Sequence, residues 1–230
     1  MQFSVDERLF HIFPKLKIGV FICEVENTRY GEDRLGPVIE NIKSSFLYDK
    51  PQDHPHIIIW REAFKKIGIS ASKYYSSIEA LLRRVLKGGE IPRINPVVDI
   101  YNSISLKYLV PMGGHALEPI EGNIYLAFAR GDEPFYPMDS GEVEIVEKNE
   151  VVYKDNKEVL TRRWVWRQCN KDKVTEETKK IFIPVDLMEG LSDDTWENIK
   201  LDLERYLTED RLGKILHIDL LSKDKNSTSF

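Results

Sequence analysis

The chain has 230 residues, of which 42% are hydrophobic and 31% charged, and its formal net charge is −5. A chain of this length and apolar content can bury a large core, which excludes disorder over its whole length. The apolar runs are far shorter than the ~20 residues of a spanning helix, and the negative charge disfavours strong non-specific binding to nucleic acid, although a local basic patch could still bind it.

The first residues and the cysteines indicate a cytoplasmic protein. Met1–Glu7 carries acidic residues where a secretory signal would have a basic stretch followed by an apolar one. Cys23 lies in an apolar run and Cys169 in a polar segment, which fits neither a disulfide framework nor a metal site. We therefore expect reduced thiols, no metal, no cofactor and no membrane association.

No repeat, low-complexity tract or Gly/Ser linker divides the sequence. The simplest partition is one compact domain over residues 1–221, followed by a loose C-terminal tail over residues 222–230.

The predicted elements mix helices and strands. Lys17–Glu24 reads as a buried strand, Ser76–Gly89 as a capped helix, and Asn95 as the N-cap of a second helix with Pro96 in its first turn. Later strands are predicted at Ile124–Ala129, Glu142–Val146, Val151–Lys154, Val159–Arg167 and Lys179–Val185, followed by a helix over Trp196–Leu207 and a strand over Leu216–Leu220. The pattern predicts an α+β fold with mixed, largely antiparallel sheets and flanking helices.

A glycine-rich loop follows the second helix, where Pro111 is succeeded by Gly113, Gly114 and His115. Glycine permits positive φ and a close approach of a ligand to the backbone, so this loop could offer N–H groups and one imidazole to a polar substrate. The alternative is a tight turn that carries an exposed histidine.

Residues 94–102 read Ile-Asn-Pro-Val-Val-Asp-Ile-Tyr-Asn, and Pro111 follows nine residues later. This order resembles the editing module of the phenylalanyl-tRNA synthetase beta subunit, where the pattern is Ile-Asn-Asn-Val-Val-Asp-Val-Thr-Asn and then Pro-Leu-His-Ala-Phe-Asp. Looser matches at residues 120–124, 129–133, 152–155 and 174–178 extend the resemblance over roughly Ser77–Val185. We expect a free-standing module with the fold of that family.

The family hydrolyses the ester between a wrong amino acid and its tRNA, which restores discrimination that a binding pocket alone cannot reach. The resemblance therefore implies a hydrolase that acts in trans on the 3′ end of mischarged aminoacyl-tRNA, using water and no covalent nucleophile. Two alternatives remain open: a non-catalytic module that binds tRNA or a free amino acid, and an interaction scaffold without a ligand.

The resemblance also implies site residues. The amino-acid pocket would be formed by residues of the second helix and the following loop: Asn95, Tyr101, Asn102, Pro111 and Met112. For catalysis, we expect the N–H groups of Gly113 and Gly114 to face the ester carbonyl, and His115 or Glu133 to orient water. Counting without a gap aligns Gly113 with the family's histidine, whereas a two-residue insertion aligns His115 with it and keeps four consecutive matches.

One segment departs from the family. Where the family has a Gly-Gly-Glu loop whose glutamate helps to recognise a tyrosine hydroxyl, this chain has Arg162–Gln168, so specificity for tyrosine is not implied. Strand alternation would place Trp164 and Trp166 on one face and Arg163 and Arg167 on the other. These side chains could stack the unpaired bases of the tRNA end and bind its phosphates. Alternatively, the tryptophans belong to the core and the arginines are solvated.

Overall fold

The computed structural model describes residues 1–138 and 141–230. Its helices are α1 (Glu7–Ile12), α2 (Leu35–Ser45), α3 (Pro55–Lys66), α4 (Ser77–Leu86), α5 (Pro96–Tyr108) and α6 (Thr195–Glu209). Its strands are β1 (Gln2–Val5), β2 (Lys17–Val25), β3 (His115–Ala116), β4 (Ile124–Phe128), β5 (Pro134–Phe135), β6 (Glu144–Ile145), β7 (Val151–Lys154), β8 (Val159–Arg162), β9 (Arg167–Gln168), β10 (Lys180–Leu187), β11 (Gly213–Leu221) and β12 (Ser227–Ser229).

The strands form two main sheets. The larger sheet has the order β12-β1-β4-β7-β8-β9, and the smaller has the order β11-β2-β10-β3, while β5 pairs with β6. Among the described strands, every pairing is antiparallel except that of β1 with β4. The predicted α+β class with largely antiparallel sheets is confirmed. None of the helices in the described residues is long and apolar enough to span a membrane.

The smaller sheet lies between two hydrophobic cores. On β2, Val20 and Ile22 pack into a core shared with the larger sheet, whereas Phe21 and Cys23 pack into a core shared with α5 and α6. Burial on both faces explains why β2 reads as a continuous apolar run instead of an alternating one.

Both predicted helix starts are confirmed. The Ser76 hydroxyl accepts the backbone N–H of Glu79 at 3.3 Å, and the Asn95 side-chain oxygen accepts the N–H of Val98 at 3.0 Å. These contacts satisfy N–H groups that a helix leaves without partners at its first turn. Helix α5 therefore begins at a fixed point, and the loop after it carries Pro111–His115.

The prediction of one strand over Val159–Arg167 is wrong. The chain turns back after β8, with Arg163 at φ 48° and Trp164 at φ 65°, and returns as β9. The backbone N–H of Arg163 donates to Glu150 Oε1 at 2.9 Å, which helps to hold this left-handed turn. Because the segment is a turn, the expected division of its tryptophans and arginines between two strand faces does not occur.

The loose C-terminal tail that we expected over residues 222–230 is also not found, because these residues are ordered. Strand β12, inside residues 222–230, pairs antiparallel with β1 and forms the edge of the larger sheet. The Phe230 ring lies parallel to that of Phe182, with centroids 6.3 Å apart. The tail is therefore part of the folded core.

A candidate active-site cleft

A cleft with a cavity volume of about 130 Å³ lies where the loop after α5 meets both main sheets. It is lined by loop residues Pro111, Met112, Gly113 and His115, by Tyr153, Thr161, Arg167 and Gln168 of the larger sheet, by the hairpin residues Trp164, Val165 and Trp166, by Pro184 and Asp186 of β10, and by Ser77. The loop and the arginine–tryptophan segment thus face the same cleft.

Some residues expected at the site do not line this cleft: Asn95, Tyr101, Asn102, Gly114, Glu133 and Arg163. Asn95 is 2% exposed and serves as the cap of α5, and the Tyr101 ring packs against the Cα of Gly114. Asn102 is half-buried on α5. Helix α5 therefore supports the loop from behind, and the loop carries the side chains that face the cleft.

His115 sits on β3 and is held by Asp172. Its Nδ1 shares a short hydrogen bond with Asp172 Oδ2, and both side chains are buried. Asp172 Oδ1 accepts Gln168 Nε2 at 3.0 Å and the Cys169 thiol at 3.3 Å. Within the described part of the chain, the other ring nitrogen of His115, Nε2, has no hydrogen-bond partner. A carboxylate that fixes one imidazole nitrogen leaves the other oriented for proton transfer.

Asp186 lines the cleft and is buried. It is 2% exposed; its Oδ1 accepts the Tyr153 hydroxyl at 3.0 Å and Trp164 Nε1 at 2.7 Å, while its Oδ2 lies 3.1 Å from the same hydroxyl. Burial raises the pKa of Asp186 to about 7, although these two donors and the charge of His115 act in the opposite direction. The carboxyl group can therefore change its charge near neutral pH.

The two loop glycines have different roles, and neither has the positive φ that their sequence context suggested. A Cβ on Gly114 would come within 2.7 Å of Tyr101 Cε1, so this position requires glycine for close packing. A Cβ on Gly113 would meet no atom within 4 Å. Gly113 therefore keeps the cleft wall open.

Aromatic rings and guanidinium groups stack beside the cleft, at Tyr74, Arg163, Trp166 and Arg167, of which Trp166 and Arg167 line it and Arg163 is buried. The Arg163 guanidinium lies 3.9 Å from the Tyr74 ring centroid and 4.8 Å from that of Trp166, and Arg167 lies 5.6 Å from Trp166. Trp166 is half-buried and lines the cleft. Both arginines are near carboxylates, Arg167 Nη1 being 3.1 Å from Glu144.

Trp164 differs from Trp166 because its ring is fully buried. It packs against Phe13 at 5.4 Å and Trp60 at 5.1 Å between ring centroids. A base cannot stack on a ring that is covered in this way, so the expected stacking role of Trp164 is corrected to that of a hydrogen-bond donor to Asp186.

Glu133 belongs to a turn away from the cleft. Burial alone would raise its pKa, but the hydrogen bond from Lys154 Nζ and those from the N–H groups of Gly131 and Arg130 lower the pKa to about 2. A carboxylate held in this way is a weak base, so of the two residues expected to orient water only His115 faces the cleft.

The two cysteine thiols are free and buried. Burial raises the pKa of Cys23 to about 12 and, together with the nearby charge of Asp172, raises the pKa of Cys169 still further. Such thiols are poor nucleophiles. The described residues contain no cluster of three or more His, Cys, Asp or Glu side chains with the geometry of a metal site.

Sequence reasoning missed four polar residues of the cleft and its support: Tyr153, Gln168, Asp172 and Asp186. One of them had a signal. Asp186 is the one charged residue within the apolar run Ile181–Leu187, and a buried strand keeps a charge only where the charge has a function or a partner.

Comparison with known proteins identifies a family. The family described as the B3/4 domain matches residues 59–198, a segment that contains every cleft-lining residue named above. The phenylalanine–tRNA ligase beta subunit of Idiomarina loihiensis is 34% identical over 98 residues, which cover 43% of this chain and 12% of the relative. The corresponding subunit of Fusobacterium nucleatum is 31% identical over 113 residues, or 49% of this chain and 14% of the relative.

The chain thus spans only a small part of the length of these curated relatives. Among solved structures, an N-terminal fragment of the phenylalanyl-tRNA synthetase beta subunit from Pyrococcus horikoshii aligns with a TM-score of 0.46 and 18% identity, covering 93% of this chain and 49% of that chain. The resemblance to the beta-subunit module that the sequence indicated is confirmed by the family match.

Proposed function

Because the chain belongs to the B3/4 domain family, we propose that it is a hydrolase that acts in trans on mischarged aminoacyl-tRNA and releases the amino acid by ester hydrolysis. The relatives that it matches are beta subunits of phenylalanine–tRNA ligase, and the matched segment contains the cleft. The proposal includes a location in the cytoplasm, where aminoacyl-tRNA is made and used.

The observation that carries the proposal is the His115–Asp172 pair at the cleft. In its neutral form, with the proton on Nδ1 held by Asp172, His115 presents Nε2 as an acceptor. Nε2 takes a proton from water as the water oxygen bonds to the ester carbonyl carbon. The bond from that carbon to the ribose oxygen then breaks, and the ribose oxygen receives the proton from Nε2. The products are the free amino acid and deacylated tRNA.

The substrate is oriented by the two walls of the cleft. Trp166 offers a half-buried indole for the terminal adenine, and Arg167 adds a positive charge for the adjacent phosphates. Gly113, whose position leaves open space beside the loop, accommodates the ester group. Binding the ester rigidly next to the base supplies much of the catalysis, because an ester needs only a positioned water and a stabilised oxyanion.

The test is deacylation of a panel of mischarged tRNAs by the wild-type protein and by the His115→Ala variant. We expect hydrolysis of at least one tRNA by the wild type and a loss of about 100-fold or more in the variant, as for removal of a general base. His11→Ala, which changes an exposed histidine on α1, serves as the matched control and should keep wild-type activity.

No hydrolysis above buffer for any tRNA would contradict the enzymatic proposal. Filter binding to tRNA over a salt series would then identify a non-catalytic tRNA-binding module, because phosphate contacts give a steep salt dependence while an amino-acid pocket gives little.

A further inference from the structure

One buried carboxylate in the cleft lacks a cationic partner. Asp186 is hydrogen-bonded only to the neutral donors of Tyr153 and Trp164, and no lysine or arginine pairs with it in the part of the chain that the structure describes. Other buried carboxylates have such partners: Glu79 with Arg61, Glu133 with Lys154, Glu150 with Arg162, Asp155 with Lys171, and Asp202 with Lys107. Asp172, which is bonded to His115, Gln168 and Cys169, also lacks a lysine or arginine, but of these two carboxylates Asp186 is the one that lines the cleft.

An unpaired buried carboxylate is costly, because the charged form loses its hydration without gaining a counter-charge. The surrounding fold nevertheless fixes this group. Oδ1 accepts two hydrogen bonds, from Tyr153 and Trp164, while Oδ2 has only the longer contact to the Tyr153 hydroxyl. A carboxylate has about four acceptor positions, so Oδ2 can accept a further donor from a bound molecule in the cleft.

The cleft lining carries charges of both signs. Among the described residues that line it, Arg167, which also pairs with Glu144 at 3.1 Å, is positive and lies beside Trp166, whereas Asp186 is the acidic residue. The remaining walls include apolar groups of Pro111, Met112 and Pro184. A molecule that carries both a phosphate and an ammonium group would offer a counter-charge to each of these residues.

We infer that Asp186 binds the α-ammonium group of the esterified amino acid, so that the protein selects aminoacyl esters with a free amino group and rejects those whose amino group is acylated. This inference rests on the proposed function. It identifies Asp186 as a residue that determines the substrate class, which the family match does not do.

The position of Asp186 relative to His115 favours the α-ammonium group over a group on the amino-acid side chain. Tyr153 contacts both residues, since its ring centroid lies 5.9 Å from that of His115 and its hydroxyl is bonded to Asp186. In an aminoacyl ester, the ammonium nitrogen is only two bonds from the carbonyl carbon that His115 would serve. A carboxylate so close to the base therefore meets the part of the amino acid that every such ester shares.

An N-acylated ester has no ammonium charge and adds bulk at the same place. On binding it would leave Asp186 buried without a counter-charge and would place an amide against it. The protein would then distinguish ordinary aminoacyl-tRNA from tRNA that carries an N-blocked amino acid or a peptide.

The experiment uses two stable analogues, adenosine carrying an L-alanyl group in amide linkage at its 3′ position, and the same molecule acetylated on the amino nitrogen. Alanine tests the ammonium group without requiring a particular side chain. Isothermal titration calorimetry with the wild-type protein should show at least about tenfold tighter binding of the free-amine form, the effect of a hydrogen bond to a charged group. This comparison needs no variant.

Asp186→Asn keeps the size of the side chain and an oxygen for Trp164 and Tyr153. It should weaken binding of the free-amine analogue at least about tenfold and remove the discrimination between the two analogues. Asp202→Asn is the matched control, because Asp202 is also buried and also accepts a tyrosine hydroxyl, at 2.7 Å from Tyr108, but lies outside the cleft. It should keep the wild-type preference.

Equal binding of the two analogues to the wild type, failure of both to bind, or discrimination retained in Asp186→Asn would each overturn the inference. Deacylation of one tRNA charged with alanine, compared before and after N-acetylation, completes the test. Selective binding of the free-amine analogue without turnover of any tRNA would refute the hydrolase proposal while supporting the ammonium site. Turnover of both forms at similar rates would refute the ammonium site while supporting the hydrolase.

Discussion

The two neighbouring glycines in the loop after α5 have different roles, one in packing and the other in keeping the cleft accessible. Gly114 touches the ring of Tyr101 and the side chain of Ile181, while Gly113 borders open space in the cleft. The sequence Gly113-Gly114 gives no means of distinguishing these roles, because both depend on what the rest of the chain brings next to each Cα.

Alanine substitutions at the two glycines should therefore have different effects, on stability at Gly114 and on activity at Gly113. Gly114→Ala places a methyl group 2.7 Å from Tyr101 Cε1 and 3.2 Å from Ile181 Cγ2, and we expect a loss of about 1–3 kcal/mol in the free energy of unfolding, measured by urea denaturation. Gly113→Ala should change stability by less than about 0.5 kcal/mol but lower the rate of deacylation, because the methyl group narrows the cleft. Equal destabilisation by both changes would contradict this assignment.

Titration of Asp186 should make the free energy of unfolding depend on pH. Its pKa is about 7 in the folded chain and ~3.9 in an unfolded one, so between these values the native state holds a proton that the unfolded state has released. Rising pH therefore lowers the free energy of unfolding across this window. Asp186→Asn should remove this decrease, which is on the order of 4 kcal/mol at most.

The measurement is urea denaturation of wild type and variant from pH 4 to pH 8. Their difference must be used, because His54 acts in the opposite direction: burial and the charge of His56 lower its pKa to about 4, so its contribution to stability is lost as the pH falls. His115 and Tyr153 face Asp186 in both proteins. A difference that stays constant over this range would show that the Asp186 carboxyl is not protonated in the native state at neutral pH.

At the scale of elements, local signals predicted α4, α5 and α6 but not α1, α2 or α3, and they failed where tertiary contacts decide. The N-cap residues Ser76 and Asn95 predicted the starts of α4 and α5, and the apolar run of β2 predicted a buried strand. The hairpin of β8 and β9 could not be predicted, because its left-handed residues are Arg163 and Trp164 and not glycines. The contacts that hold this turn come from residues just before and within β7, such as Glu150, 13 residues earlier in the chain.

The residues of the candidate site likewise fall into those that the sequence predicted and those that it did not. The loop residues Gly113 and His115 were predictable, because glycines and a histidine beside a family pattern indicate a ligand site. Asp172 was not, since it belongs to no motif and approaches the cleft from another segment, while for Asp186 the only signal in the sequence was its isolated charge in a buried strand. The pairing of β3 with β10 cannot be read from a single sequence. This pairing places His115 next to Phe182 and at the cleft.

The cap of α5 allows a test at the same scale. Asn95→Ala removes the acceptor for the Val98 N–H, and we expect a loss of about 1 kcal/mol in the free energy of unfolding. Asn95→Asp, which keeps an acceptor oxygen, should recover most of this loss. Urea denaturation measures both. Because α5 only supports the loop, the KM for a mischarged tRNA should change little, and a large increase in KM would instead favour direct contact of Asn95 with the substrate.

At the scale of the whole molecule, the two hydrophobic cores lie on opposite faces of the smaller sheet. The C-terminal residues 227–230 pack against the core that is shared with the larger sheet. Strand β12 extends the larger sheet beyond β1, His217 Nε2 lies 2.8 Å from Thr228 Oγ1, and Phe230 covers Phe182. Phe182 in turn contacts the ring of His115. The C-terminal strand therefore supports the site through the core.

Removal of residues 227–230 should destabilise the protein by about 2 kcal/mol, because the chain loses the β1–β12 pairing and the burial of an aromatic ring. Phe230→Ala isolates the contribution of the ring and should account for part of the loss. Thermal and urea unfolding would measure both, and midpoints that do not move would mean that the tail adds no stability.

Because both cysteine thiols are buried, their reactivity in the native protein reports local opening of the structure around them. Cys23 belongs to the core next to α5 and α6, whereas Cys169 belongs to the core next to the cleft and touches the carboxylate that holds His115. A thiol-specific reagent can reach either sulphur only when the surrounding structure opens. Labelling rates at the two positions, followed by mass spectrometry, would therefore tell whether the core beside the candidate cleft opens independently of the core beside α5 and α6.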